Sequence, residues 1–153
     1  MLDQFDRALI KALQQNGQAT NAELAALVGL SVSQAGRRRH RLEAEGVITH
    51  YRAQLSAEAV GLHIQAFVQI SLTRHSRDGA QNLHSYLQAQ PEILNIWSLT
   101  GSADYLLQIY CASLPALNHL VHEVLLSHEA ITHVESKIVM EQIKSDGILM
   151  PAS

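Results

Sequence analysis

The densest chemistry in the chain is a run of four arginines in five positions, Arg37, Arg38, Arg39 and Arg41, with His40 among them. Guanidinium groups are permanent cations whose planar fork of donors matches phosphate, so the run suits a polyanion. A charge run is more often only the solvated face of a helix. Here the setting argues otherwise. Ser31 and Gln34, just ahead of the run, have the spacing of a capping box, and Thr20 and Glu23 repeat it eleven residues earlier. Between the two boxes, Leu24, Leu27 and Val28 recur at helical spacing and lead into Gly29, which can enter a left-handed turn without steric cost. Thr20 to Gly46 thus reads as helix, tight turn, helix, with the arginines on the second helix and a stop at Gly46. In a helix-turn-helix that second helix enters the major groove, early residues touching base edges and later basic ones holding phosphates. This geometry puts Ser33, Gln34 and Arg37 near bases, with Ser31, Arg38 and Arg41 completing the expected DNA surface. Gln pairs bidentately with adenine and Arg with guanine, each good pair discriminating by roughly 1–3 kcal/mol. At about 100° per residue the arginines cannot all face one groove, so some must contact phosphate, pack, or remain in solvent.

The elements around this reader follow from pattern and charge. Residues 1–52 hold seven Lys/Arg against five Asp/Glu, and residues 53–153 hold four against nine. The basic end is therefore the expected DNA end, and a chain of net charge −3 should rely on that local patch, on oligomerisation and on salt rather than coat DNA indiscriminately. An opening helix is capped by Asp3 with Asp6 at its third position, carries Leu9, Ile10 and Leu13, and is expected to end at Gly17. After Gly46, Val47 to Leu55 is rich in β-formers and reads as a wing or linking strand. SAEAVGL, residues 56–62, is a connector.

From Ile64 the period changes to two: Ile64, Ala66, Val68, Ile70 and Leu72 share one face and Phe67 falls on the other. A helix with Ala80, Leu83 and Leu87 on its stripe follows, ending before Pro91. Ile93 to Thr100 and Tyr105 to Ala112 are strands joined by a turn at Gly101 to Asp104. Pro115 opens a helix with Leu117, Leu120, Val121, Val124 and Leu125 on its buried side, and Ile131 to Ile143 is the last strand. The order βαββαβ is ferredoxin-like, two helices covering one face of a four-stranded antiparallel sheet. Its other face, with Phe67, argues for self-association, and a dimer supplies the second reader helix that a palindromic promoter site requires.

Other chemistries are weaker. His119, His122 and His128 invite a metal site, but such sites want three or four ligands and the sole cysteine, Cys111, falls on a strand, so surface histidines and no metal are expected. No nucleophile-and-base motif, phosphate-binding glycine loop or carboxylate pair suggests an enzyme. Cys111 reads as core packing and Trp97 as sheet surface or interface. A lone cysteine, no leader-like N-terminus and no apolar run near 18 residues point to a cytoplasmic protein with no membrane partner.

LDQFDRALIKALQQNGQAT, ELAALVGLS, RLEAEGVITHY, TGSADYLLQ and VMEQIK, in that order and over essentially the whole chain, resemble the Lrp/AsnC family of feast/famine transcriptional regulators. The resemblance implies an α+β chain: a winged helix-turn-helix in residues 1–52 (its motif about 21–40), a linking strand and connector in 53–62, a ferredoxin-like effector-binding and oligomerisation domain of the RAM/AsnC type in 63–145, and a tail in 146–153. It implies binding to double-stranded DNA, dimers that associate further, commonly into octamers, and no cofactor beyond a small effector, usually an amino acid, bound between dimers. Thr100, Gly101, Ser102, Asp104 and Tyr105 match the family's effector turn. Asp104 suits an ammonium group and the backbone N–H groups near Gly101 and Ser102 suit a carboxylate; read as residues alone, the same stretch is a hairpin turn whose Asp104 bonds its own backbone. Gly36 and Arg39 stand where the family's reader helix usually has a bulky aliphatic and then Val or Ile. An architectural protein that wraps DNA, with little effector response, is the alternative function.

Overall fold

A computed structural model describes residues 1–73, 77–145 and 147–152, and in the helix beginning at Arg77 the side chains from Asn82 onward. The expected stripe residue Ala80 therefore lies outside the described side chains, and Asp146 and Ser153 of the expected tail lie outside the described residues. The chain divides into two units, Met1–Gln54 with Ile143–Ser153, and Leu55–Gln142.

In the first unit all three helices begin at reciprocal side-chain caps. Helix α1 spans Gln4–Gln15, with Asp3 accepting from the Asp6 N–H and Asp6 reaching back to the N-cap. Helix α2 (Asn21–Val28) starts at the Thr20/Glu23 box and ends at Gly29, whose φ of 70° is left-handed. Helix α3 (Val32–Ala44) starts at the Ser31/Gln34 box. Each box satisfies two backbone donors that the first helical turn leaves without partners. Leu9, Ile10, Leu13, Ala19, Leu24, Ala25, Ala35 and Leu42 pack between the helices.

Three expectations change here. Helix α1 ends at Asn16, in extended backbone, one residue before Gly17. Leu27 is 71% exposed; on so short a helix Leu24 and Ala25 supply the inward face instead. Val47 to Leu55 forms no strand. β-Formers make a strand only when a neighbour supplies the ladder, and among the described residues of this unit there is none. The segment is held by other means: the Ile48 N–H donates to Leu42 O, Ile48 packs on the core, and the Tyr51 hydroxyl donates to Glu43 at 2.7 Å.

The last residues lie along α1. Gln14 makes two hydrogen bonds with the Leu149 backbone, at 2.8 and 2.7 Å, and Arg7 donates to the carbonyls of Pro151 and Ala152 at 2.9 and 2.8 Å. With Leu2, Ile10, Leu13 and Val47 to Arg52 they surround a cavity of about 540 Å³.

In the second unit a short 3₁₀ turn, Glu58–Val60, precedes the first strand. The order is β1 (Ile64–Leu72), α4 (Arg77–Gln88), β2 (Ile93–Ser98), β3 (Tyr105–Cys111), α5 (Leu114–His119) and β4 (Ile131–Ile138). The sheet runs β2-β3-β1-β4, every pair antiparallel, which is the ferredoxin-like arrangement read from the pattern. Ala66, Val68 and Ile70 of β1 and Leu107, Ile109 and Cys111 of β3 meet Leu83 and Leu87 of α4 and Leu117, Leu120 and Leu125 beyond β3. Burial pushes the Cys111 thiol up from its ordinary value, as suits a core residue.

Helix α5 differs from the single α-helix expected. Ser113 caps it, Pro115 lies in its first turn, and from Leu120 to Leu125 it widens into a π-helix. The five-residue step from Leu120 to Leu125 brings both into the core, whereas Val121 and Val124 are half-buried. Apolar spacing alone fits either helix. β2 and β4 end at Ser98 and Ile138, short of Thr100 and Ile143, because a strand ends where pairing ends.

Candidate nucleic-acid interface and effector turn

The reader helix takes its direction from Ser31. The Gln34 N–H donates to Ser31 Oγ at 3.3 Å, and Gln34 Oε1 accepts from both the N–H and the hydroxyl of Ser31 at 3.0 Å. That carbonyl oxygen has two lone pairs and both are engaged. A bidentate pairing of Gln34 with adenine therefore competes with the cap, while its amide nitrogen has no acceptor among the described residues. Ser33 is exposed beside it, its hydroxyl 3.3 Å from that of Ser31.

The four arginines divide into three roles. Arg39 packs: its Nη1 donates to Ala19 O at 2.9 Å, its Nε to Glu43 at 3.0 Å, and its guanidinium lies 4.9 Å from the centre of the Tyr51 ring. Hydrogen bonds from Tyr51, then Arg39, hold the Glu43 carboxyl below its usual range. Arg39 thus joins α3 to the segment after it, and does from the inward side what an aliphatic residue does by packing. Arg38 and Arg41 both reach α1. Arg38 Nη1 contacts Asp3 at 2.7 Å and Asp6 at 2.8 Å, and Arg41 Nη2 contacts Asp6 at 2.6 Å. Arg37, exposed, has no ion pair among the described residues. Gln34, Arg37, Arg38 and Arg41, spaced i, i+3, i+4 and i+7 and so on one face, line an open cleft of about 310 Å³.

Gly36 lies where α3 crosses the start of α2. A Cβ there would come within 3.0 Å of Asn21 Nδ2, so a larger residue at this position requires the exposed Asn21 side chain to move.

In the second unit the turn between β2 and β3 folds onto the end of β1. Gly101 has φ 114°, the Leu99 N–H donates to Asp104 O at 2.8 Å, and the Asp104 N–H to Ile70 O at 2.9 Å. Asp104 Oδ2 accepts from the Leu72 N–H at 2.7 Å, and the Ser71 hydroxyl donates to Ser102 O at 3.3 Å. Gly101, Ser102 and Asp104 are exposed, and Thr100 lies beside them. Tyr105, half-buried, places its hydroxyl 2.7 Å from His84 Nε2, the rings meeting edge to face. His84 was not singled out by the sequence; nothing in its spacing on α4 shows that it meets a residue of β3. Asp104 therefore has a structural bond whatever else it binds, with its second carboxylate oxygen unpaired among the described residues.

His128 is occupied locally, its Nδ1 accepting from the Ala130 N–H and its ring 4.8 Å from that of Tyr86. Among the described residues no three metal-ligating side chains converge, and no helix is long and apolar enough to cross a membrane.

Comparison with known proteins agrees with both halves of this geometry. The profile of the AsnC-type helix-turn-helix domain matches residues 2–43, and that of the Lrp/AsnC ligand binding domain matches residues 65–149. The chain belongs to the Lrp/AsnC family. It is a DNA-binding transcriptional regulator of that type. The glutamate uptake regulatory protein of Zymomonas mobilis is 36% identical over 148 residues, 97% of this chain and 90% of its own length. Among solved structures, a transcriptional regulator from Neisseria meningitidis in complex with L-methionine has a TM-score of 0.94 at 37% identity, covering 97% of this chain and 96% of its own. A feast or famine regulatory protein from M. tuberculosis, also with L-methionine, has a TM-score of 0.85 at 33% identity, covering 99% of this chain and all of its own. Within this Lrp/AsnC chain the capped helices and the hairpin turn fall inside the two matched domains.

Proposed function

We propose that this Lrp/AsnC regulator reads double-stranded DNA with α3, residues 1–52 serving as the DNA-binding domain, and that an amino acid bound in residues 63–145 alters that reading. The observation that carries the proposal is the cleft lined by Gln34, Arg37, Arg38 and Arg41 on the second helix of a doubly capped pair. Arg37, the arginine of α3 without an ion pair among the described residues, is assigned to base edges, with Ser33 and the Gln34 amide beside it. Ser31, Arg38 and Arg41 face phosphate.

The effector is assigned to Thr100, Gly101, Ser102, Asp104 and Tyr105. The Asp104 oxygen that has no partner among the described residues accepts the ammonium, and backbone N–H groups near Gly101 take the carboxylate. The two methionine complexes make L-methionine the first candidate. A homodimer is assigned to the sheet face that carries Phe67, Gln69, Leu106, Gln108 and, on β2, Trp97. Trp97 is 43% exposed there, a large aromatic left to a second copy. Two copies give two reader helices for a palindromic site, and effectors between dimers that associate further, up to an octamer, shift the spacing of those helices.

The test is fluorescence anisotropy with the gene's own upstream duplex and a scrambled control, across salt concentrations, with and without each amino acid. Preference for the native duplex, lost in Arg37→Gln and altered by one amino acid with a parallel shift in size-exclusion elution, supports the proposal. Equal, steeply salt-dependent binding to both duplexes that ignores every amino acid favours DNA wrapping instead.

A further inference from the structure

A buried acid lies beneath the reader helix, and the proposal above leaves it without a role. Asp6 is 1% exposed. Its Oδ1 accepts from Arg38 Nη1 at 2.8 Å, and its Oδ2 lies 2.6 Å from Arg41 Nη2 and accepts from the Asp3 N–H at 3.1 Å. Arg38 Nη1 also donates to Asp3 at 2.7 Å, and its guanidinium stands 5.3 Å from the centre of the Phe5 ring. Two arginines one turn apart on α3 are thus tied to a single carboxylate on α1. Both nevertheless line the cleft that Gln34 and Arg37 complete. A guanidinium has five donors in a rigid fork, so a bond to Asp6 leaves each arginine with donors for another anion.

We infer that Asp6 is a positioning residue for DNA binding: it orients Arg38 and Arg41 so that their remaining donors meet backbone phosphates. The inference rests on the reading of α3 as the DNA-contacting helix. Its physical basis is preorganisation. A free arginine loses rotamer entropy when a phosphate captures it, and one already fixed in place loses less. Simple charge makes the opposite prediction, because a carboxylate close to DNA repels it. The sign of the effect on removing the charge therefore decides.

The experiment measures binding of the full chain to the upstream duplex across a salt series, comparing wild type, Asp6→Asn, Asp3→Asn, Arg37→Gln, and Arg38→Gln/Arg41→Gln with and without Asp6→Asn. Asn keeps an acceptor at both acidic positions and is itself a good N-cap at position 3. The expected result is that Asp6→Asn, although one unit more positive, binds on the order of tenfold more weakly, and its log–log salt slope is shallower by about 0.9 for each phosphate that the arginines no longer neutralise. In the Arg38→Gln/Arg41→Gln background Asp6→Asn should change nothing further, since a positioning residue acts only through what it positions. Asp3→Asn, at a carboxylate that meets Arg38 but not Arg41, should give a smaller loss of the same sign. Because Asp3 is exposed, this variant keeps the test open even if Asp6→Asn folds poorly. Tighter binding by either Asn variant, or an equal loss from Asp6→Asn when both arginines are gone, overturns the inference. If the arginine substitutions themselves leave affinity unchanged, α3 is not the reader, and the underlying proposal falls with it. If they weaken binding while Asp6→Asn does not, only the role of Asp6 falls.

Discussion

Asp104 has a structural role and a proposed ligand role, and two substitutions separate them. Its Oδ2 accepts from the Leu72 N–H at 2.7 Å while its backbone is bonded to Ile70 and Leu99, so the side chain pins the β2–β3 turn to the end of β1. Asp104→Asn keeps an oxygen for Leu72 and removes the charge. Asp104→Ala removes both. A hydrogen bond to a charged group contributes about 1.5–3 kcal/mol, and exposure of this turn brings the expected loss in the alanine variant to about 1 kcal/mol. For a unit of this size that corresponds to a melting temperature lower by about 4–8 °C, with asparagine falling by only a few degrees. The ligand role predicts that the two variants lose equally. An ammonium that loses its charged acceptor should bind on the order of 10- to 100-fold more weakly in both variants. Differential scanning fluorimetry and isothermal titration of the full chain, with L-methionine first and then the other amino acids, read the two effects separately. An asparagine variant that binds its amino acid as tightly as wild type would refute the ammonium assignment and leave Asp104 as a turn residue. Wild-type melting in both variants would refute the pinning role.

Gly36→Ala gains about 1 kcal/mol of helix propensity and brings a Cβ within 3.0 Å of the exposed Asn21 side chain. That side chain can swing away, so a rise of a few degrees in melting temperature is expected, and a fall would show that the α2–α3 crossing is rigid. Tyr51→Phe keeps the ring beside Arg39 but deletes the 2.7 Å bond to Glu43, for an expected loss of about 0.5–1.5 kcal/mol in urea denaturation; no loss would mean that the ring alone holds the segment. Arg7→Ala with Gln14→Ala should free the last residues, seen as faster C-terminal trimming by carboxypeptidase, and unchanged trimming would show that the Arg7 and Gln14 hydrogen bonds do not hold them. The carboxyls of Asp3 and Glu23, lowered by cap hydrogen bonds, and of Glu43, lowered chiefly by Tyr51, lie below their ordinary 3.8, 4.5 and 4.5. Lowered carboxyls stabilise the fold above those ordinary values and cease to as pH falls through the lowered ones. Melting temperature should accordingly hold steady from pH 7 to about 5 and drop below about 4.5, and Glu43→Gln should remove part of that drop.

What could be read from the chain alone was what neighbours in sequence decide. Ser31 with Gln34, Thr20 with Glu23 and Asp3 with Asp6 are three residues apart, so each cap is settled within one turn of backbone, and the alternation from Ile64 needs only a sheet with one wet face. The arginines show where that kind of inference ends. Periodicity says that Arg37, Arg38 and Arg41 share a face, but whether a given guanidinium is free depends on Asp6, more than thirty positions away in sequence. The same limit explains Val47 to Leu55, whose β-formers lack a neighbouring strand, and the meeting of His84 with Tyr105 across a helix and a sheet. It also bears on function. The two carboxylates that cap α1 are the ones that hold Arg38 and Arg41, so a cap legible at residue 3 becomes, through the fold, part of the surface at residue 41. Charge along a helix says where an anion is attracted; the partners on the neighbouring helix decide which donors are held ready for it.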